Sequence, residues 1–195
     1  MSCLIIPGLH SSGPDHWQSR WLRERDDCRW VELGDWADPT RLGWVAALDR
    51  AVARADGCPV LVAHSLGCLA VAWWATSAGE RAAKVAGALL VAPPDTDRIG
   101  ADPRLQRFAP APRHSLPFPA IVAASRSDPY ASFERSRQMA RAWSARFHDA
   151  GDAGHLNASS GLGSWDEGQG LLDEVIAGAT SRWQRPIASR AFAVL

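Results

Sequence analysis

The stretch Pro59-Val-Leu-Val-Ala63-His64-Ser65-Leu66-Gly67-Cys68 constrains this chain more than any other. A short β-rich apolar run stops, a serine follows, and a helical pattern that is apolar nearly all round begins at once and continues to Ala78. A helix with no polar face is buried on most sides. A continuous rather than alternating apolar strand is expected in a parallel sheet covered on both faces. The run Val85 to Ala92 has the same character.

Elsewhere, short apolar runs alternate with helical stretches of the length that a β-α-β crossover needs. Strands are predicted at Cys3 to Ile6, Cys28 to Leu33, Pro59 to Ala63, Val85 to Ala92, Pro119 to Ser125 and Arg146 to Asp149. Asp38-Pro39 reads as a helix start, after which Val45, Leu48, Val52 and Ala55 share one face. The fold class predicted is a three-layer α/β/α sandwich with a mostly parallel central sheet. At 195 residues the chain suits one such domain, placed at 1–182, followed by a tail at 183–195. The tail could pack on the domain or on a second subunit, as a homodimer. The segment Pro93 to Pro117, rich in Pro, Asp and Arg, is either a functional loop beside the site or a long crossover with a short helix near Pro103 to Phe108.

Composition excludes some classes of function. Lys plus Arg and Asp plus Glu both number 21, so there is no charge footprint for nucleic acid or an anionic membrane. The N-terminal apolar run Cys3-Leu4-Ile5-Ile6 is too short for a signal peptide or a membrane span, and a cytoplasmic location is expected. Cys3, Cys28, Cys58 and Cys68 form no CxxC pair and are expected as free thiols. No metal cluster or cofactor motif is visible, so no cofactor is expected.

The strand-serine-helix junction is the context of a nucleophile elbow, in which the hydroxyl projects from a sharp turn and the next N–H faces the substrate oxygen. Strand and helix come close there, so positions two before and two after the serine must be small. Gly67 and Ala63 meet this, giving A-x-S-x-G where the usual pattern is G-x-S-x-G. A serine needs a base and the base an orienting acid, following later in the chain in the order acid, then histidine. Asp128, in Ser125-Arg-Ser-Asp-Pro-Tyr130 after a strand, is the expected acid, with Asp95 its rival and a helix-start role its alternative. His155, in the glycine-containing loop after the last strand, is the expected base. His148 reads as structural, His114 as surface, and His64 as too close to Ser65 in sequence to act as its base. Oxyanion donors are expected from the N–H of Leu66 and from that of Leu9 or His10, freed by Gly8. His10, Trp17 and His64 are the expected substrate contacts, with His16 also near the mouth of the site.

The blocks Pro7-Gly-Leu-His-Ser-Ser-Gly-Pro-Asp-His-Trp17, Val62-Ala-His-Ser-Leu-Gly-Cys68, Ser125-Arg-Ser-Asp-Pro-Tyr130 and Gly154-His-Leu-Asn157 with Ser160-Gly161 run in order along most of the chain. Together they resemble the small serine-hydrolase family typified by retinoblastoma-binding protein nine. The resemblance implies a minimal α/β-hydrolase fold without a large lid, with the catalytic triad carried on Ser65, Asp128 and His155. It implies a chemistry and not a substrate. The function expected is cleavage of an ester-type acyl bond in a small molecule through an acyl-enzyme. The alternatives are a protein-interaction module on the same scaffold and an acyltransferase with the same triad.

Overall fold

The computed structural model describes residues 1–183. Its six strands are β1 (Cys3–Ile6), β2 (Cys28–Trp30), β3 (Val60–His64), β4 (Gly87–Val91), β5 (Ala120–Ala124) and β6 (Arg146–Asp149). They form one sheet in the order β2-β1-β3-β4-β5-β6, and every neighbouring pair is parallel. The α-helices are α1 (Trp17–Glu24), α2 (Arg41–Arg54), α3 (Leu66–Ser77), α4 (Pro103–Gln106), α5 (Phe133–Ala142) and α6 (Asp166–Trp183). Of the tail expected at 183–195, Trp183 ends α6 and the rest lies outside the described residues.

Alternation along the strands builds the two outer layers. On β1, Leu4 and Ile6 face one way, with Leu48, Val52, Leu69, Trp74 and Trp143 of the α2, α3 and α5 side. Cys3 and Ile5 face the other way, towards Trp17, Trp21, Leu172 and Val175 of α1 and α6. The sheet is therefore covered on both faces, as the continuous apolar strands require, and the architecture is the expected α/β/α sandwich. Eight of the twelve residues of α3 are buried, consistent with its missing polar face.

Two local expectations shift. The start of α2 is capped by Thr40, whose hydroxyl accepts from Gly43 N–H, and not by Asp38, which pairs with Arg107 at 2.6 Å. Proline at 39 therefore precedes the cap. β2 ends at Trp30, although Val31 N–H still reaches Ile5 O at 2.9 Å, and the chain turns away before Gly34 at φ 101°. Among the described residues no helix is long and apolar enough to cross a membrane.

Candidate active site

Ser65 joins β3 to α3 with φ 52° and ψ −125°, a backbone conformation that a side chain of its kind rarely takes. Neighbouring structure holds it there: Ser65 N–H donates to Val91 O at 2.9 Å, and its own carbonyl accepts from Cys68 N–H at 2.9 Å. Gly67 is required for a spatial reason, since a Cβ there would lie 2.6 Å from both Ile6 O and Pro7 O. Gly8 has a similar role: a Cβ on it would meet Ser65 Cβ at 2.8 Å and Leu66 N at 3.3 Å. Its contribution is closeness, letting the first loop lie against the elbow.

The β5 and β6 loops bring the other two expected residues to Ser65. His155 Nε2 lies 2.9 Å from Ser65 Oγ, and Nδ1 lies 3.0 and 2.9 Å from the two Asp128 oxygens. The Asp128 side chain is only 2% exposed and that of His155 9%. Asp128 Oδ1 also accepts from Tyr130 N–H at 2.8 Å. The helix that follows is capped by Ser132, so Asp128 is not its cap. Two serine hydroxyls bind the acid loop to the histidine loop: Ser125 Oγ accepts from Ala153 N–H at 2.9 Å, and Ser127 Oγ from Gly154 N–H at 3.1 Å. Asp95 does not reach the histidine; Arg135 Nε donates to it at 3.0 Å.

The first loop and α1 complete the surroundings. His64 Nε2 donates to the backbone carbonyl of His155 at 2.9 Å. Burial, then the neighbouring His155 and His16, hold its pKa well below the ordinary histidine value, so it is neutral. His16 caps α1, its Nδ1 accepting from Gln18 N–H at 3.1 Å, so its proton is on Nε2. That Nε2 is buried and has no hydrogen-bond partner among the described residues. Burial chiefly, then His155, lowers the His16 pKa to about 4. Gln18, fully buried, ties α1 to the end of β1 and the middle of β3 by donating to Ile6 O and Val62 O.

A cavity of about 340 Å³ opens over Ser65, with Leu9, His10, His16 and His64 on the side of the first loop and the elbow, and Tyr130 and Asn157 opposite. Asp102, Arg104 and Leu105 reach its rim, so the segment Pro93 to Pro117 contributes to the site through α4. Of the expected substrate contacts, His10 and His64 line this cavity and Trp17 does not. Trp17 is 1% exposed, and its indole N–H donates to Leu156 O at 2.8 Å, beneath the histidine loop. Its role is to hold the loop carrying His155. The expected His10 amide donor is also corrected: His10 N–H already donates to Trp36 O at 2.8 Å. That leaves the N–H groups of Leu9 and Leu66, the latter being the first helical residue and so without an acceptor inside α3. Tyr130, absent from the sequence expectations, sets its ring 4.4 Å from that of His155. Its place directly after Asp128-Pro129 was the available signal.

Comparison with known proteins decides the family. The model of the serine hydrolase family matches residues 3–174. The chain belongs to this serine hydrolase family. Its membership agrees with the resemblance read from the sequence blocks. Among solved structures, a protein assigned as a YdeN-like hydrolase from Pectobacterium atrosepticum is 32% identical, with 91% of each chain covered and a TM-score of 0.79. The ydeN gene product of B. subtilis shares 21% identity over 90% of this serine hydrolase and 98% of its own chain, with a TM-score of 0.72. Est1E from Butyrivibrio proteoclasticus shares the fold at 13% identity, covering 90% of this chain and 88% of its own, with a TM-score of 0.64. No curated protein matches the chain in sequence.

Proposed function

We propose that this serine hydrolase cleaves esters of small carboxylic acids through an acyl-enzyme on Ser65, with His155 as general base and Asp128 as its orienting acid. The observation that carries this reading is the unbroken line of hydrogen bonds Asp128–His155–Ser65, at 2.9–3.0 Å throughout, at the base of an open cavity. Asp128 accepts from His155 Nδ1–H, which fixes the tautomer and leaves Nε2 bare to take the Ser65 proton. Ser65 Oγ then attacks the acyl carbon, and the developing oxyanion is received by the N–H groups of Leu66 and Leu9. His155 returns the proton to the leaving alcohol, and water attacks the acyl-enzyme by the same route.

The size and lining of the cavity favour a small substrate with polar groups. Leu9, Leu105 and Ala158 are its aliphatic contacts, while His10, Ser11, Asp102, Arg104 and Ser159 offer polar ones. Among the described residues no large lid stands over it to sequester a long acyl chain.

A fluorophosphonate probe tests the reading. Wild-type protein is expected to be labelled on Ser65, as located by peptide mapping, and to turn over a nitrophenyl ester. Folded Ser65→Ala is expected to lose both, with turnover down about 10³-fold or more. Turnover by Ser65→Ala within a few-fold of wild type would overturn the assignment. Labelling without ester turnover in water would indicate an acyl transfer to another acceptor.

A further inference from the structure

Cys3 and Cys28 lie 25 positions apart in the chain, and no spacing motif joins them. The sheet makes them partners: Cys3 opens β1, Cys28 opens β2, and the two pair directly in the parallel register. Both side chains face the α1 and α6 layer and are buried. Asp27 precedes Cys28, and its backbone carbonyl accepts from Cys3 N–H at 2.8 Å, which locks the three residues together. The two sulfurs and a carboxylate oxygen of Asp27 all lie within 4.8 Å of one another. The cluster sits where these strands begin, whereas Ser65 follows the end of β3, roughly 15 Å along the sheet.

We infer that Cys3, Cys28 and Asp27 form a binding site for a thiophilic divalent cation, zinc foremost. The separations carry the inference. A tetrahedral zinc ion, with bonds of about 2.3 Å to sulfur and about 2.1 Å to oxygen, sets its sulfur and oxygen ligands roughly 3.6 Å apart. Cys3 Sγ donates to Asp27 Oδ2 at 3.6 Å and Cys28 Sγ to Asp27 Oδ1 at 3.8 Å, so each thiol stands near that separation from one oxygen of the carboxylate, which an ion replacing the two thiol protons would take through both oxygens. A disulfide fits this pair less well: adjacent parallel strands stand about 4.8 Å apart, and a disulfide draws its Cβ atoms to about 3.8 Å.

The surroundings suit an ion. Arg25 grips the Asp27 carboxylate with two hydrogen bonds of 3.0 Å, which orients that ligand much as outer partners do in metal sites. Two thiolates and a carboxylate carry three negative charges, which zinc and Arg25 together balance. Each thiol gives its proton to solvent as the ion binds. The Asp27 side chain is 34% exposed, so the ion enters from that side and water fills the fourth position. The bound ion ties the three-residue edge strand β2 to β1, away from the catalytic end.

The test uses the full chain carrying Cys58→Ser, which removes the half-exposed thiol outside the cluster, kept under a phosphine reductant. Zn²⁺ is titrated in competition with a chromophoric chelator, and Co²⁺ is added separately as a spectroscopic probe. One equivalent of zinc is expected to bind, and Co²⁺ is expected to give thiolate-to-metal charge-transfer absorption with tetrahedral bands. Adding Cys28→Ser should weaken zinc binding about 100-fold or more and abolish that absorption; Asp27→Asn should weaken it about 10-fold or more. Equal zinc affinity with and without Cys28→Ser overturns the site. Should Cys28→Ser fail to fold, the Co²⁺ spectrum of the Cys58→Ser chain decides, and absence of the thiolate absorption overturns it equally.

Discussion

The backbone carbonyl of His155 accepts a hydrogen bond from His64 Nε2 at 2.9 Å, so the residue just before Ser65 holds the main chain of the residue that its neighbour's hydroxyl meets. Sequence adjacency made His64 a poor base for Ser65, and that same adjacency delivers its ring to the histidine loop. His64→Leu deletes the donor and leaves a buried carbonyl unpaired. A kcat fall of about 10- to 100-fold is expected, larger than the change in KM, as misplacement of a reacting group produces. His64→Gln, which can still donate, should recover part of the loss. Ester kinetics on the two variants check this, and a His64→Leu enzyme as fast as wild type would refute it.

Asp128→Asn should lower turnover by up to about 10⁴-fold, because an amide favours the wrong tautomer of His155. Asp95→Asn should leave turnover within a few-fold of wild type, since Asp95 is engaged by Arg135 and makes no contact with His155. Comparison of kcat/KM for the two variants decides, and the reverse order would move the acid to the β4 loop.

Gly67→Ala should destabilise the protein by roughly 1–3 kcal/mol, the usual cost of forcing an added methyl into packed structure. The obstructing atoms are backbone carbonyls of Ile6 and Pro7, which cannot swing aside as a side chain would. Urea denaturation measures it; an unchanged midpoint would mean that strand and helix are not in close contact.

His16 and His64 make stability depend on pH with a definite sign. Both are held neutral in the folded protein, His16 with a pKa near 4, whereas in the unfolded chain a histidine titrates near 6.5. Between those values the unfolded state binds more protons, so stability is fully present above about pH 6.5 and falls as pH drops towards 4. The slope from each is at most about 1.4 kcal/mol per pH unit. His16→Asn keeps an acceptor for the α1 cap and should give a shallower loss. Denaturation midpoints at pH 7.5 and 5 test this, and parallel losses in the two proteins would contradict it.

Activated aryl esters with acyl groups of two to four carbons should be the best simple substrates. Beyond the cavity, an added methylene gains none of the roughly 0.8 kcal/mol that burial could give it. A nitrophenyl ester series reports kcat/KM against chain length, and a maximum at eight carbons or longer would reveal an apolar channel.

What was legible in the sequence is what local pattern determines. Ser65 lies where strand period gives way to helix period, and Asp128 and His155 each follow a run that is visibly a strand. The α/β/α order could be read because the strands are apolar on both faces. Trp17 was misread because its burial depends on Leu156 and the histidine loop, 139 positions away, and an aromatic after a glycine-containing loop looks the same in a wall or beneath a floor. The amide of His10 was misassigned for a related reason: its acceptor, Trp36 O, belongs to another loop. The pairing of Cys3 with Cys28 follows only from knowing that β2 lies beside β1.

Arg104 and Leu105 reach the cavity from α4, and that helix is fastened to the segment before α2, through Arg104 to Ala37 O at 3.1 Å and Arg107 to Asp38 at 2.6 Å. Ser65, Asp128 and His155 take no hydrogen bond from residues 93–117 among the described residues. The segment does grip the acid loop just past Asp128, through Asp95 N–H to Tyr130 O and Arg98 to Pro129 O, each at 3.0 Å, but α4, which shapes the entrance, makes no hydrogen bond to that loop among the described residues. Exchanging Asp102, Arg104 or Leu105 changes the shape and charge of the entrance while the hydrogen-bonded line under them keeps its direct partners, so this scaffold can diversify by editing three residues of rim.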